Sequence, residues 1–215
     1  EARDLKKSWN QCLARAKQLA EANGPGAPLL AFYADLLALQ QASYESFTSN
    51  QEWSPSGSLE RDLPVVRTHV APILNAVIKR GSRPLMLEAT RLLDDAAGTA
   101  IDDALLTYWR APSDQHFFAK AAIQPYMSWL AESGVAPVDR HLTVADNRCP
   151  FCSGVPQLSM LVSTGEAEGG GRQLLCATCL TAWPFRRVVC VYCGEEDERK
   201  TGYFHTPLFD HLRVQ

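Results

Sequence analysis

The chain has 215 residues, of which 46% are hydrophobic, so it has enough apolar material for a folded core and is not a disordered protein. Its net charge of −3 leaves no excess positive charge for nonspecific binding to nucleic acid or to an anionic membrane. Polar residues or Pro interrupt every apolar stretch before the ~18 residues that span a bilayer, so we expect a soluble protein without membrane insertion. Because the sequence begins with Glu1 rather than Met, we expect a trimmed or processed N-terminus.

Helical periodicity dominates the first part of the chain. Breaks that contain Gly or Pro separate the predicted helices, which lie at about 5–20, 29–47, 66–80, 84–97, 99–110 and 114–132. Pro72 and Pro125 fall inside two of these segments, as helix starts or kinks. An all-α domain over 1–134 is the natural packing solution. The segment 135–148 has no helical period, and we interpret it as a linker.

The seven cysteines are distributed very unevenly. Cys12 is alone on the apolar face of the first predicted helix, where we interpret it as a core thiol. The other six form three Cys-X2-Cys pairs between Cys149 and Cys193. Pairs at these spacings indicate metal binding in a reducing compartment rather than disulfides, so we expect a cytoplasmic protein.

Alternating apolar residues between the first two pairs predict short strands at 157–162 and 172–175, joined by a turn at 165–171. The expected fold class is therefore α+β. A hairpin of this length brings two Cys-X2-Cys turns together, and four thiolates in a tetrahedron suit Zn²⁺ or a single iron ion. The spacing favours one closed metal site made by Cys149, Cys152, Cys176 and Cys179.

The third pair, Cys190 and Cys193, is also a candidate pair of metal ligands, but it needs two more. The downstream candidates are His205 and His211. Spacing leaves an alternative open, in which the third pair closes a site with the first pair and the second pair stays open.

Further residues accompany the cysteine frame at fixed distances, namely Pro150, Phe151, Leu175, Trp183, Arg187, Gly194, Tyr203 and Phe204. This pattern resembles the formate dehydrogenase accessory protein family, FdhE. The resemblance implies rubredoxin-like (zinc-ribbon-like) metal modules after the helical domain, the first at 149–189 and the start of a second at 190–215. It also implies a non-enzymatic role in which the protein binds the catalytic subunit of respiratory formate dehydrogenase in the cytoplasm before export.

Two departures from the family pattern concern the cysteine region. The glycine that usually follows the first pair is Ser153 here, with Gly154 one place later, so we expect a shifted turn. We expect Gly154 and Gly194 to supply positive φ after their pairs. The family carries a fourth Cys-X2-Cys shortly after the position of Gln215, so we expect the second module to be incomplete.

Other functions have weaker support in the residues. A rubredoxin-like electron carrier needs iron in the four-thiolate site, and a zinc-ribbon nucleic-acid binder needs a basic surface that the cysteine region lacks. Thiol–disulfide exchange is disfavoured by three pairs at module spacing. Acidic pairs at 94–95 and 102–103 are typical of solvated helix faces, and no nucleophile motif or phosphate-binding loop supports an enzyme.

The aromatic residues of the cysteine region suggest both a small core and a contact surface. We expect Trp183 to cover the core of the first metal module. The charged run at 195–200 is predicted to be exposed. Four apolar residues are predicted to pack on a neighbouring surface or on another chain, and a homodimer is one such arrangement: Tyr203, Phe204, Leu208 and Phe209.

Overall fold

The structure is a computed structural model, and it describes residues 5–22, 24–95, 98–113, 115–140, 145–162, 171–197, 199–200, 202–205, 207 and 212–214. Within these ranges the helical elements are α1 (Leu5–Glu21), α2 (Ala27–Ser49), α3 (Leu59–Val66), a 3-10 turn (Arg67–His69), α4 (Val70–Arg80), α5 (Arg83–Leu93), α6 (Thr99–Arg110) and α7 (Phe117–Ser133).

The six predicted helices are confirmed, with ends that differ by a few residues. The short helix α3 was not predicted, and the predicted start of the third helix at 66 lies at its end. Pro64 lies inside α3, where a helix is normally interrupted, and this conceals the helix in the sequence. Glu60 and Asp62 in its first turn favour a helix start, since acidic side chains complement the helix dipole.

Glycines with positive φ mark two helix ends. Gly98, at φ 68°, precedes α6, and the Asp95 carboxylate accepts a hydrogen bond of 2.8 Å from the amide of Ala100 in the first turn. Gly134, also at φ 68°, follows α7. The next amide, that of Val135, then returns to the Leu130 carbonyl at 3.0 Å, which satisfies a carbonyl at the helix end.

After the helices, three antiparallel strands form a sheet in the order β1 (Pro156–Val162), β2 (Gly171–Cys176), β3 (Ala182–Phe185). The first two confirm the predicted strands, and most of the predicted turn between them lies outside the described residues. The strand β3 was not predicted because Pro184, which cannot donate to a ladder, interrupts its pattern. It pairs with β2 at the edge of the sheet, with Leu174 opposite Trp183.

One continuous apolar core joins the helices to the cysteine region. Its three largest fully buried side chains, Trp109, Tyr108 and Tyr126, come from α6 and α7, and the same cluster contains Leu174 and Trp183 of the sheet. A second cluster lies between α1 and α2, where Trp9, Ala16, Ala34, Leu37 and Tyr44 are buried.

The described part of the segment that follows α7 is held by the helical domain. The amide of Val138 donates to the Gly57 carbonyl at 2.8 Å, and the Trp109 indole donates to the Val138 carbonyl at 3.1 Å. The Ser58 hydroxyl donates to the Asp139 carboxylate at 2.8 Å. The described residues of this segment form no helix or strand, yet those at its start are fixed in position. In the described residues no helix is both long and apolar enough to span a bilayer.

Candidate metal centre

Each Cys-X2-Cys pair lies in the same kind of backbone turn, which we call a knuckle. In every knuckle the amide of the first cysteine donates to the carbonyl five residues later: Cys149 to Gly154 at 3.0 Å, Cys176 to Thr181 at 2.9 Å and Cys190 to Glu195 at 2.8 Å. The residue after the second cysteine has positive φ in all three, at Ser153 (54°), Leu180 (59°) and Gly194 (75°).

This common turn corrects one of the two glycine predictions. Gly194 has the expected positive φ, but after the first pair Ser153 adopts it instead of Gly154, so the turn is not shifted. The position of Gly154 requires a residue without a side chain for another reason. A Cβ atom there would lie 2.8 Å from the Cys176 sulfur and 3.1 Å from the Cys152 sulfur, so a side chain would intrude between the ligands.

The β1–β2 hairpin places the first two knuckles face to face. The Sγ atoms of Cys149 and Cys179 are 3.5 Å apart, those of Cys152 and Cys176 are 3.4 Å apart, and those of Cys152 and Cys179 are 3.5 Å apart. All four sulfur atoms lie within 4.8 Å of one another, and all four side chains are buried. Sulfur atoms in a regular tetrahedron with metal–sulfur bonds of about 2.3 Å are about 3.8 Å apart, so the donor set fits a tetrahedral thiophilic ion.

Local hydrogen bonds favour a thiolate at Cys176. The pKa of this thiol lies well below its usual range, because it accepts hydrogen bonds from the Cys149, Cys152 and Cys179 thiols and from the Cys179 backbone amide. The amides of Thr178 and Cys179 approach its sulfur at 3.3 and 3.5 Å. Hydrogen bonds with the Cys149, Cys152 and Cys176 thiols raise the pKa of Cys179 in the same knuckle. Thiolates are the metal-binding form of cysteine, so Cys176 is the ligand of this knuckle that the hydrogen bonds favour in that form.

The third knuckle lies apart from this cluster. The structure pairs the first knuckle with the second, and Cys190 and Cys193 are not among the four cysteines brought together. Cys190 is half-buried and Cys193 is exposed. Backbone amides of Cys193 and Tyr192 lower the pKa of the Cys190 thiol. Of the candidate histidines, His205 is exposed and His211 lies outside the described residues.

Arg172 of β2 supports the connection between the second and third knuckles, a role that sequence analysis missed. Its guanidinium donates to the backbone carbonyls of Arg186 and Arg187 at 3.2 Å each and to that of Val189 at 2.7 Å. The ring of Phe185 lies 5.4 Å from the same guanidinium. A long side chain that satisfies three carbonyls of a distant segment has no local sequence signal.

Trp183 is a core residue, as predicted. It is 6% exposed, and its indole donates to the Asp146 carbonyl at 3.0 Å. Trp183 also lines a cleft of about 740 Å³ beside the first knuckle. Other residues that line this cleft are Pro150, Phe185 and Arg186. The Arg186 guanidinium forms an ion pair of 2.7 Å with Glu196.

Two further predictions concern side chains outside the cluster. Cys12 is exposed, so its interpretation as a core thiol is wrong. Among the described side chains of α1, the buried ones are Trp9 and Ala16, which form a narrow stripe, and Cys12 lies beside it. Two members of the acidic pairs have structural contacts. The Asp95 carboxylate caps α6, and the Asp102 carboxylate forms an ion pair with Arg67 at 3.1 Å.

The third knuckle and the tail after it expose aromatic side chains. Tyr192, Tyr203 and Phe204 are 96%, 61% and 80% exposed, although Phe204 forms an antiparallel bridge with Val214. Among the described residues, the Arg213 guanidinium lies 5.6 Å from the centre of the Tyr203 ring, and contact of Tyr203 and Phe204 with another chain stays a prediction. Leu208 and Phe209 lie outside the described residues. The charged run is exposed at 196, 199 and 200, half-buried at 195 and 197, and outside the description at 198.

Comparison with known proteins supports the family resemblance that the cysteine pattern indicates. The family model described as "FdhE, central domain" matches residues 148–187, which contain the whole four-cysteine cluster. A protein of Aquifex aeolicus called "Protein FdhE homolog" is 28% identical over 159 residues, which cover 73% of this chain and 54% of that protein. A relative of the same name from Rhizobium meliloti is 36% identical over 81 residues, or 37% of this chain and 25% of the relative.

The chain thus matches about half, or less, of the length of these relatives. A crystal structure of the FdhE protein from Pseudomonas aeruginosa shares the fold with a TM-score of 0.58, over 96% of this chain and 75% of that one, at 24% identity. These comparisons confirm the resemblance to the FdhE family, and the match to the model of its central domain spans the four clustered cysteines of this chain.

Proposed function

We propose that this chain is an assembly factor for respiratory formate dehydrogenase, which binds the catalytic subunit of the enzyme in the cytoplasm before export. The observation that carries the proposal is the closed cluster of four buried cysteines inside the part that matches the FdhE central domain. The proteins that resemble this chain bear the FdhE name, and the family's accessory role is the basis for naming the client.

The four-cysteine cluster would hold zinc or iron as a closed site. When bound, a tetrahedral ion supplies cross-links between the knuckles, and its binding free energy stabilises the folded module. Four protein ligands leave no open position for a substrate, which supports a non-enzymatic role. The residues that would hold the ion are Cys149, Cys152, Cys176 and Cys179.

Affinity capture tests the proposed client. The tagged full chain is mixed with the isolated catalytic subunit of formate dehydrogenase, and we expect a complex. Cys176→Ser should abolish the complex together with metal binding, because it removes a buried ligand. Cys12→Ser is the matched control, since Cys12 is exposed and lies far along the chain from the knuckles. If Cys176→Ser loses the metal but still binds the client fully, client binding does not depend on the metal. Absence of a complex with the unaltered chain would refute the assembly role.

A second candidate, a rubredoxin-like electron carrier, is favoured by the four-thiolate donor set. The burial of all four cysteines, each at most 1% exposed, favours the structural role instead, since electron transfer to a partner is faster from a site near the surface. Anaerobically purified chain that contains iron and shows reversible visible absorption would support the carrier. A colourless zinc protein would rule it out.

The third knuckle is part of the proposal as a further pair of ligands, Cys190 and Cys193. Its turn repeats the backbone hydrogen bond of the other two, from the amide of the first cysteine to the carbonyl five residues later. We propose no nucleic-acid role, because Arg172 and Arg186 of this region are engaged by carbonyls and by Glu196.

A further inference from the structure

The second knuckle differs from the other two in how deeply it is buried. Between its ligands lie Ala177 and Thr178, which are 2% and 1% exposed. In the first knuckle Pro150, which corresponds to Ala177, is exposed. In the third knuckle Tyr192, which corresponds to Thr178, is 96% exposed. Burial of both intervening residues means that another part of the chain covers this knuckle completely.

Helices α6 and α7 provide that cover through two hydrogen bonds. The Tyr108 hydroxyl of α6 lies 3.2 Å from the Thr178 hydroxyl, and the Gln124 side chain of α7 donates to the Ala177 carbonyl at 3.0 Å. The residue that follows the knuckle, Leu180, packs against the apolar cluster between α1 and α2. The second knuckle therefore contacts the helical domain at three points.

The contact at Ala177 continues into the interior of the bundle. Gln40 of α2 is 3% exposed, and its amide donates to the Gln124 side-chain oxygen at 3.0 Å and to the Ala121 carbonyl at 2.9 Å. A chain of hydrogen bonds thus runs from α2 through α7 to the backbone of the metal knuckle. Buried polar groups of this kind are stable only while every partner is in place.

The same knuckle atoms serve the metal site. Ala177 lies between the ligands Cys176 and Cys179, and the Thr178 amide that follows it approaches the Cys176 sulfur at 3.3 Å. A contact that fixes the conformation of this turn therefore fixes two groups together. They are the Thr178 amide, which approaches the ligand sulfur, and the Ala177 carbonyl, which accepts from Gln124.

We propose that Tyr108 and Gln124 are positioning residues for the metal site, and that metal binding in turn stabilises the packing of α2 on α7. This inference rests on the proposed metal site. Coupling of this kind is reciprocal, so a change that weakens the helix–knuckle contact lowers metal affinity by the factor by which metal strengthens that contact. The helical domain thereby senses whether the metal is bound.

The test uses the purified full chain with Zn²⁺ alone and no client protein. Zinc affinity is measured by competition with a chromophoric chelator, and Co²⁺ spectra report the ligand geometry. We expect Tyr108→Phe and Gln124→Leu to lower zinc affinity by about tenfold, the lower end for residues that orient metal ligands. Hydrogen exchange of α2 and α7 amides in the unaltered chain is expected to slow when zinc binds.

Tyr126→Phe and Gln41→Leu are the matched controls. Tyr126 bonds to Asp62, and Gln41 bonds to Asn10 and Glu45, so each variant loses a hydrogen bond of the helices without touching the knuckle. Their zinc affinity should match that of the unaltered chain. Should Gln124→Leu fail to fold, Tyr108→Phe decides the question, since it removes one oxygen atom.

Equal zinc affinity in all variants, an equal loss in variants and controls, or unchanged helix exchange on zinc binding would overturn the coupling. Each of these results leaves the proposed assembly function standing, because the chain still binds zinc. Failure of the unaltered chain to bind zinc, cobalt or iron would overturn both the coupling and the proposed metal site.

Discussion

The side-chain amide of Gln40 on α2 donates a hydrogen bond of 2.9 Å to the backbone carbonyl of Ala121 on α7. In a regular helix the amide of residue 125 would occupy this carbonyl, but Pro125 has no amide proton. A side chain from a neighbouring helix thus replaces a missing backbone donor, and this explains why α7 continues through a proline to Ser133.

Gln40→Leu is expected to destabilise the chain by about 1–3 kcal/mol, because it leaves buried polar groups of Ala121 and Gln124 without a donor. Urea denaturation followed by circular dichroism measures this change in the free energy of unfolding. Pro125→Ala restores a backbone donor for Ala121, so it should be more favourable in the Gln40→Leu background than in the unaltered chain. Additive effects of the two substitutions would contradict the replacement of one donor by the other.

Gly154→Ala is expected to weaken metal binding by at least tenfold. The new methyl group would lie within 3.1 Å of two ligand sulfurs, so the knuckles must move apart. Gly202→Ala serves as control, because a Cβ atom there has no neighbour within 4 Å among the described atoms. Zinc affinity from chelator competition compares the two variants, and an unaffected Gly154→Ala would mean that the ligands are not held at the spacing described.

Unfolding free energy is expected to fall as the pH rises above 10.0, the ordinary pKa of tyrosine. Burial and the hydrogen bond to Asp62 raise the pKa of Tyr126, so the folded chain keeps a phenol proton that the unfolded chain has lost. The unfolded state then binds fewer protons, and stability decreases with pH. Below pH 10 this contribution is fully present.

Tyr126→Phe should make the decrease shallower without removing it. Burial also raises the pKa of Tyr108, to about 12, so that residue still contributes a slope between pH 10 and 12. Urea midpoints at a series of alkaline pH values provide the measurement. A slope identical to that of the unaltered chain would show that Tyr126 does not retain its proton in the fold.

Cys176→Ser and Cys190→Ser are expected to differ in metal content. Cys176 is one of four sulfurs within 4.8 Å of one another, so its loss opens that site and should release its metal. Cys190 lies outside the cluster, so Cys190→Ser should keep the metal of the first two knuckles. Elemental analysis of the purified variants checks this difference. Loss of all metal from Cys190→Ser would mean that the third knuckle supplies ligands to the bound metal.

Much of the local structure could be predicted from sequence. Apolar spacing predicts α6 at its observed bounds, and alternation predicts β1 and β2. The strand β3 and the helix α3 were missed for the same reason, since each contains a proline, a residue that usually interrupts such elements. Positive φ at Ser153 was also missed, because glycine is the residue usually associated with that conformation.

The sequence alone indicated which cysteines are candidate metal ligands and that a helical region precedes them. Ligand chemistry and turn geometry depend on residues a few positions apart, so both are visible in the Cys-X2-Cys spacing. Only the tertiary structure decided that the first knuckle faces the second and that the helices cover Thr178. Those relationships depend on side chains far apart in the chain, such as Tyr108 and Thr178, which come together only when the two parts share one core. No local pattern records a contact of that kind, because the free energy that stabilises it comes from the burial of both parts at once.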